Sequence, residues 1–186
     1  KQIVFGCHGG ESSFDLKFVH NTLVHVANKR KDIVFLFLNI NKFCNHPRIK
    51  FLKGTLNETY KKKFINSCDA MIYGRSLGES FGLSCGEFAI ENKRIISYKY
   101  NRHRSHNYNI PSKYFIEYSS FDSLFNIINN FEKKPSKYKN LYKSYSKKKV
   151  IKDFQNIFLK KEQIIKLSLF DYMKNYLSFM RMIYYY

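Results

Sequence analysis

The chain has 186 residues, and 44% of them are hydrophobic. A chain of this length and composition can bury a sizeable core, which excludes an intrinsically disordered protein. Its 33 lysine and arginine residues outnumber 14 aspartate and glutamate residues, for a net charge of +19. An AT-rich genome imposes the same bias towards lysine, asparagine, isoleucine, tyrosine and phenylalanine on any fold. The charge therefore favours polyanionic ligands without by itself indicating nucleic acid.

Short apolar runs recur along the chain and predict buried strands. They lie at 3–5, Ile33–Leu38, Ile49–Leu52, Ala70–Tyr73, Arg94–Tyr98 and 114–118. A continuous run such as IVFLFL, at 33–38, is typical of a strand that is buried on both faces, as in parallel sheets. The polar segments 6–10 and 101–113 are predicted as loops.

Between the runs, apolar residues recur at three- and four-residue spacing and predict helices. These segments begin near Phe14, after the capping residue Asn57, at Phe81 and at Asp122. Strands that alternate with helices predict an α/β fold, a Rossmann-like, doubly wound parallel sheet flanked by helices. In such sheets ligands bind at the carboxyl ends of the strands.

The composition changes at Lys133, which predicts a sheet domain over 1–132 and a basic connector with C-terminal helices over 133–186. One apolar stripe of the extension consists of Ile165, Leu169, Met173, Tyr176, Met180 and Ile183. Charged residues interrupt any membrane-spanning run. The extension is predicted to pack on this domain or on a missing N-terminal domain, with peripheral membrane contact as the alternative.

Four cysteines form no C-x-x-C pair and lie in or beside apolar runs. Buried, reduced thiols account for them better than a disulfide framework or a zinc site, and they predict a cytoplasmic protein. The chain begins with Lys1 just before a predicted strand, so we expect it to be a piece of a longer protein.

The segment 68–88, CDAMIYGRSLGESFGLSCGEF, gives the strongest indication of a binding site. A strand ends, a glycine-containing turn follows, and Glu79 and Glu87 bracket the start of a helix. The unpaired N–H groups around Gly82, Leu83 and Ser84 suit an anion, and Gly82 leaves room for a ligand to approach. Carboxylates accept hydrogen bonds from sugar hydroxyls. The pattern predicts a diphosphate with a hydroxylated ring at each end; the alternative is a buried helix start with no ligand.

The sequence at 79–87, ESFGLSCGE, resembles the E-x7-E region of group 1 glycosyltransferases, the retaining, glycogen-synthase-like enzymes of the GT-B fold. The resemblance covers residues 1–132. It implies the C-terminal, donor-binding domain of a glycosyltransferase that moves a sugar from a nucleotide-diphosphate sugar to an unknown acceptor. No metal and no other cofactor are expected.

The resemblance also implies a role for individual residues. Glu87 would hold the ribose hydroxyls, and Glu79 would be the catalytic residue that positions the donor sugar, without acting as a nucleophile. The loop at Gly9 and Gly10 would approach the phosphates, and residues 54–56 would lie near the base. The amides expected to bind sugar and diphosphate are those of Phe81, Gly82, Leu83 and Ser84.

The chain departs from the family pattern in one stretch. Many members have an arginine and a lysine after the first strand, where this chain reads CHGGESS. His8 and Arg75 are the candidate substitutes, although neutral imidazole stabilises charge less well than guanidinium, and Arg75 has a surface salt bridge as its alternative role. The acceptor-binding domain is missing, so no turnover is expected from this chain alone.

Three other hypotheses stay open. The first is a sugar-nucleotide epimerase of the same architecture, and the second is a degenerate, non-catalytic relative. The third is a basic module that binds polyanions, although no nucleic-acid-binding motif is present and no nucleic acid is expected. The pair His103 and His106 lacks a third ligand, so a solvated basic loop is predicted there in preference to a metal site.

Overall fold

The structure, a computed structural model, describes residues 2–110, 115–133 and 146–159. The chain divides into two compact units, Lys1–Lys143 and Ser144–Tyr186. The domain boundary predicted after residue 132 stays a prediction, because residues 134–145 lie outside the described part.

The first unit contains eight described strands. They are β1 (Ile3–His8), β2 (Ile33–Leu38), β3 (Ile49–Leu52), β4 (Ala70–Tyr73), β5 (Gly78–Glu79), β6 (Arg94–Tyr98), β7 (His103–Arg104) and β8 (Phe115–Tyr118). Six of them form one parallel sheet in the order β3-β2-β1-β4-β6-β8, while β5 and β7 pair separately. The predicted parallel, doubly wound sheet is confirmed.

Five helices of this unit lie between or after the strands. They are α1 (Lys17–Lys29), α2 (Glu58–Ser67), α3 (Leu83–Ile90), α4 (Ser105–Asn109) and α5 (Phe121–Asn129). Asn57 caps α2 as predicted, since its side chain accepts the N–H of Tyr60. Ser120 caps α5 in a reciprocal arrangement with Ser123. The strand order runs outward from β1 in both directions, and because crossovers between parallel strands are right-handed as a rule, helices are expected on both faces of the sheet.

Three boundaries differ from the prediction. Strand β1 continues through the predicted loop as far as His8, because Gly6, Cys7 and His8 pair in parallel register with 36–38 of β2. Helix α3 begins two residues later than predicted, after a left-handed Gly82. The predicted loop 101–113 contains β7 and α4.

The core lies between the sheet and its helices. Strand β4, at the centre, is buried at all four positions, whereas Val34 and Leu36 of β2 are half-buried. Val34 and Leu36 are two residues apart and so lie on the same face of β2, which is the less covered face at these positions. All four cysteines are unpaired. Cys7, Cys68 and Cys85 are buried as predicted, but Cys44 is half-buried.

The second unit is described only over residues 146–159, which form α6 (Lys147–Phe154) and a π-helical turn, Gln155–Leu159. Its apolar side chains in this stretch are exposed. The stripe predicted at 165–183 lies outside the described residues. No helix in the described part of the chain is long and apolar enough to cross a membrane.

The cap on α2 gives a stability prediction. Replacing Asn57 with alanine is expected to lower the free energy of unfolding by about 1 kcal/mol, because the bond of 2.9 Å from the Tyr60 N–H to the Asn57 side chain is lost. Urea denaturation followed by circular dichroism measures the change. Thr59→Ala, at an exposed position of the same helix, is the control; an equal loss in that variant would contradict the role of the cap.

Candidate functional site

A cleft of about 850 Å³ opens at the carboxyl ends of β1, β2, β3 and β4. Strand β1 lies between β2 and β4, so the strand order reverses beside it, and such reversals are where open α/β sheets bind ligands. The residues that line the cleft include all the predicted site residues: His8, Gly9, Gly10, Arg75, Glu79, Phe81, Gly82, Leu83, Ser84 and Glu87. Residues 54–56, predicted near a base, also line it.

The carboxylate of Glu87, on α3, has a basic side chain at each oxygen. Oε1 contacts Nζ of Lys61 on α2, and Oε2 lies 2.9 Å from Nε2 of His8. The His8 contact is within ion-pair distance but is not aligned as a hydrogen bond. Burial would raise the pKa of Glu87, but His8 and Lys61 together outweigh burial and the pKa lies below its ordinary value.

Within the described residues, the carboxylate of Glu79 is bonded through Oε1. Oε1 accepts the phenol of Tyr73 at 2.8 Å and Nη1 of Arg75 at 3.1 Å. Burial, followed by the bond to Glu79, raises the pKa of Tyr73, so its hydroxyl stays a donor. Among the described residues no group donates to Oε2 of Glu79. The Glu79 side chain is 21% exposed and lines the cleft.

The structure explains the glycine at position 82 differently from the prediction. Its φ of +86° lies in the left-handed region, and an added Cβ would lie 2.6 Å from Cβ of His106. The position of that Cβ is thus occupied by packing and is not open to a ligand. The left-handed turn brings the chain from β5 into the first turn of α3.

A buried polar network lies behind Glu79. His106 Nε2 is 3.1 Å from Ser97 Oγ, which donates at 3.3 Å to Asn101 Oδ1. The Asn101 amide in turn donates to the carbonyl of Arg75. The network ties the segment before α4 to the segment that contains Glu79. His106 is fully buried whereas His103 is exposed, so a solvated loop was the wrong prediction for His106.

The sequence did not point to several residues of the cleft. Lys61 is 26 residues from Glu87, and no local pattern joins the two. Asn39 has φ +58° and donates at 2.7 Å to the Gly9 carbonyl, which fixes the glycine turn after β1. An asparagine directly after a strand is a known signal for this left-handed conformation. No group of three His, Cys, Asp or Glu side chains that could hold a metal occurs within 2–110, 115–133 and 146–159.

The sheet order and the position of the cleft define the class of fold, the Rossmann-like C-terminal domain of GT-B glycosyltransferases. No protein-family model matches the sequence, and no curated protein matches it either. Solved structures of group 1 glycosyltransferases, by contrast, match over most of the chain.

Three of these structures illustrate the match. Anabaena HepE, solved with UDP and glucose, has a TM-score of 0.54 and 16% identity, covering 69% of this chain and 38% of HepE. A mutant of S. aureus TarM, solved with UDP, has a TM-score of 0.55 and 11% identity, covering 69% of this chain and 29% of TarM. The C-terminal domain of LpcC from Francisella tularensis has a TM-score of 0.52 and 12% identity, covering 69% of this chain and 74% of the LpcC domain. The chain thus spans well under half of HepE and TarM, and these identities show the fold alone.

The buried His106 gives a pH prediction. Burial, opposed by Glu79 and assisted by Arg104, lowers its pKa from 6.5 to about 4. Between these values the unfolded imidazole is protonated and the folded one is not, so the unfolded state binds more protons and stability falls as pH drops from 6.5 towards 4. The free energy of unfolding of the wild type should therefore fall more steeply over this window than that of His106→Gln.

Urea denaturation at several pH values checks this expectation. Carboxylates titrate in both proteins, so their contribution cancels in the difference between wild type and variant. Parallel pH dependence in the two proteins would show that His106 does not titrate as its burial requires.

Proposed function

We propose that this chain is the donor-binding half of a retaining GT-B glycosyltransferase and that its cleft binds a nucleoside diphosphate sugar. The observation behind this proposal is the meeting of Glu79 and Glu87 in one cleft at the carboxyl ends of parallel strands. The donor has hydroxyls at both ends, on its ribose and on its sugar, and carboxylates accept such hydroxyls. HepE, which shares the fold, was solved with UDP-glucose, and this supports the same ligand class.

In the proposed complex, Glu87 accepts the ribose hydroxyls. Its lowered pKa keeps it ionised, which suits an acceptor of two hydrogen bonds. Glu79 accepts hydroxyls of the donor sugar through Oε2, while Tyr73 and Arg75 hold its other oxygen. A carboxylate that is fixed at one oxygen presents the other in a defined direction, and Glu79 therefore positions the sugar.

The diphosphate is proposed to lie between the two carboxylates, against backbone amides. The turn at Gly9 and Gly10 approaches it from β1, and the amides of residues 81–84 approach it from the start of α3. Helix amides without intrahelical partners and the positive end of the helix dipole favour an anion there. Arg75 and His8 also line the cleft and are candidates to offer positive charge, and no metal ion is invoked.

Sugar transfer is proposed to need a second, acceptor-binding half, because a cleft on one domain binds the donor on one side only. Attack from the same face as the departing diphosphate retains the configuration of the sugar. Glu79 then acts on the position of the sugar and makes no covalent bond to it. The acceptor is a sugar, a lipid or a protein.

Calorimetric titration with UDP, GDP and ADP tests the proposal. Wild type is expected to prefer one base, and Glu87→Gln should weaken that binding by roughly tenfold or more, because a charge-assisted hydrogen bond to ribose is lost. Glu91→Gln is the matched control, since Glu91 pairs with Lys62 outside the cleft. Titrations at two salt concentrations separate specific from general anion binding.

The opposite pattern is equally clear. Binding that ignores both the base and Glu87, and that falls steeply with salt, would indicate a basic polyanion-binding module. No binding of any of the three nucleotides would contradict a preformed donor cleft.

A second titration tests the role of Glu79. The nucleoside diphosphate sugar is expected to bind wild type more tightly than the bare nucleoside diphosphate. Glu79→Gln should abolish this difference and leave the bare nucleotide's affinity within about twofold, because only sugar hydroxyls contact Oε2. Glu91→Gln again serves as the control. An equal loss for the bare nucleotide would mean that Glu79 does not contact the sugar.

A further inference from the structure

The proposed donor poses a problem of charge. A diphosphate is strongly negative, and proteins bind such groups with arginine, lysine and backbone N–H groups. The turn after β1, at residues 9–13, contains neither arginine nor lysine. Among the described residues, the lysine and arginine side chains that line the cleft are Lys53, Lys61 and Arg75, and they come from three separate segments of the chain.

Two of these cations are poorly suited to move onto a diphosphate. The Arg75 guanidinium donates to Glu79 Oε1 at 3.1 Å, and the Arg75 carbonyl accepts a hydrogen bond from the Asn101 amide. Both the side chain and the backbone of Arg75 are therefore restrained. Lys53 is exposed directly after β3, beside the 54–56 segment that is proposed to lie near the base.

Lys61 is held differently. It is one of two basic side chains on the same carboxylate, since Glu87 meets Lys61 at Oε1 and His8 at Oε2. If Lys61 moves away, Glu87 keeps His8 as a partner, and the cost of an unpaired, partly buried carboxylate is avoided. The lysine side chain is 31% exposed and has a flexible stem, so its ammonium can turn within the cleft.

We propose that Lys61 binds the diphosphate of the donor and leaves Glu87 when the donor enters. In this exchange the Lys61 ammonium donates hydrogen bonds to phosphate oxygens of the donor. Oε1 of Glu87 then accepts a hydrogen bond from a ribose hydroxyl. Lys61 exchanges one anionic partner for another, and Glu87 keeps its contact with His8. This inference rests on the proposed donor-binding function and adds to it the residue that replaces the cations missing after β1.

The test compares a nucleoside diphosphate with its own nucleoside, using whichever of UDP, GDP and ADP binds wild type most tightly. Lys61→Met is expected to weaken the diphosphate by about tenfold or more, the effect of one lost charge-assisted hydrogen bond. The nucleoside, which has no phosphate, should change by less than about twofold. Lys63→Met removes the same charge from an exposed position of α2 outside the cleft and should leave both affinities unchanged.

Lys61→Arg keeps the positive charge and is expected to retain most of the affinity for the diphosphate. Thermal melts of each variant confirm that it is folded. Equal weakening of nucleoside and diphosphate by Lys61→Met would overturn the inference and assign Lys61 to the orientation of Glu87 alone. An unchanged affinity for the diphosphate would also overturn it, while leaving the donor-binding proposal intact. If wild type binds none of the nucleotides, the donor-binding proposal itself fails, and the inference fails with it.

Discussion

The reversal of strand order beside β1 is the constraint on which the cleft depends. Because β1 has β2 on one side and β4 on the other, the connections that leave these strands diverge and open a space above the sheet. Side chains far apart in sequence, such as His8, Lys61 and Glu87, meet in that space. The two diverging connections are also tied together, since Asp15 accepts both the N–H and the hydroxyl of Ser76.

The parallel sheet could be predicted from the sequence because its strands are continuous apolar runs. Strand ends were predicted less well. Gly6, Cys7 and His8 have no strong strand propensity, but pairing with β2 extends β1 through them. The segment 101–110 is polar and looks like a loop, yet backbone bonds such as His103 N to Leu77 O at 2.8 Å give it structure. Long-range pairing of this kind leaves no local pattern.

The site could be predicted in part, for the same physical reason. Glu79, Gly82 and Glu87 lie within one short segment, where spacing along a turn and a helix indicates a shared face. Tyr73 and Lys61 reach the two carboxylates from β4 and α2, and only the folded chain brings them there. Gly82 was predicted to leave room for a ligand, although packing against His106 and a positive φ account for the glycine at this position.

The charge of the cleft differs from that of the chain. The whole sequence has a net charge of +19, but among the described residues that line the cleft, Lys53, Lys61 and Arg75 are balanced by Glu11, Glu79 and Glu87. A cleft that bound any polyanion would present unpaired cations, whereas here the two inner carboxylates each have a cation of their own. An incoming ligand must therefore offer hydroxyls to the carboxylates as well as negative charge to the cations. Paired charges of this kind favour a sugar nucleotide over a polyanion that has phosphates alone.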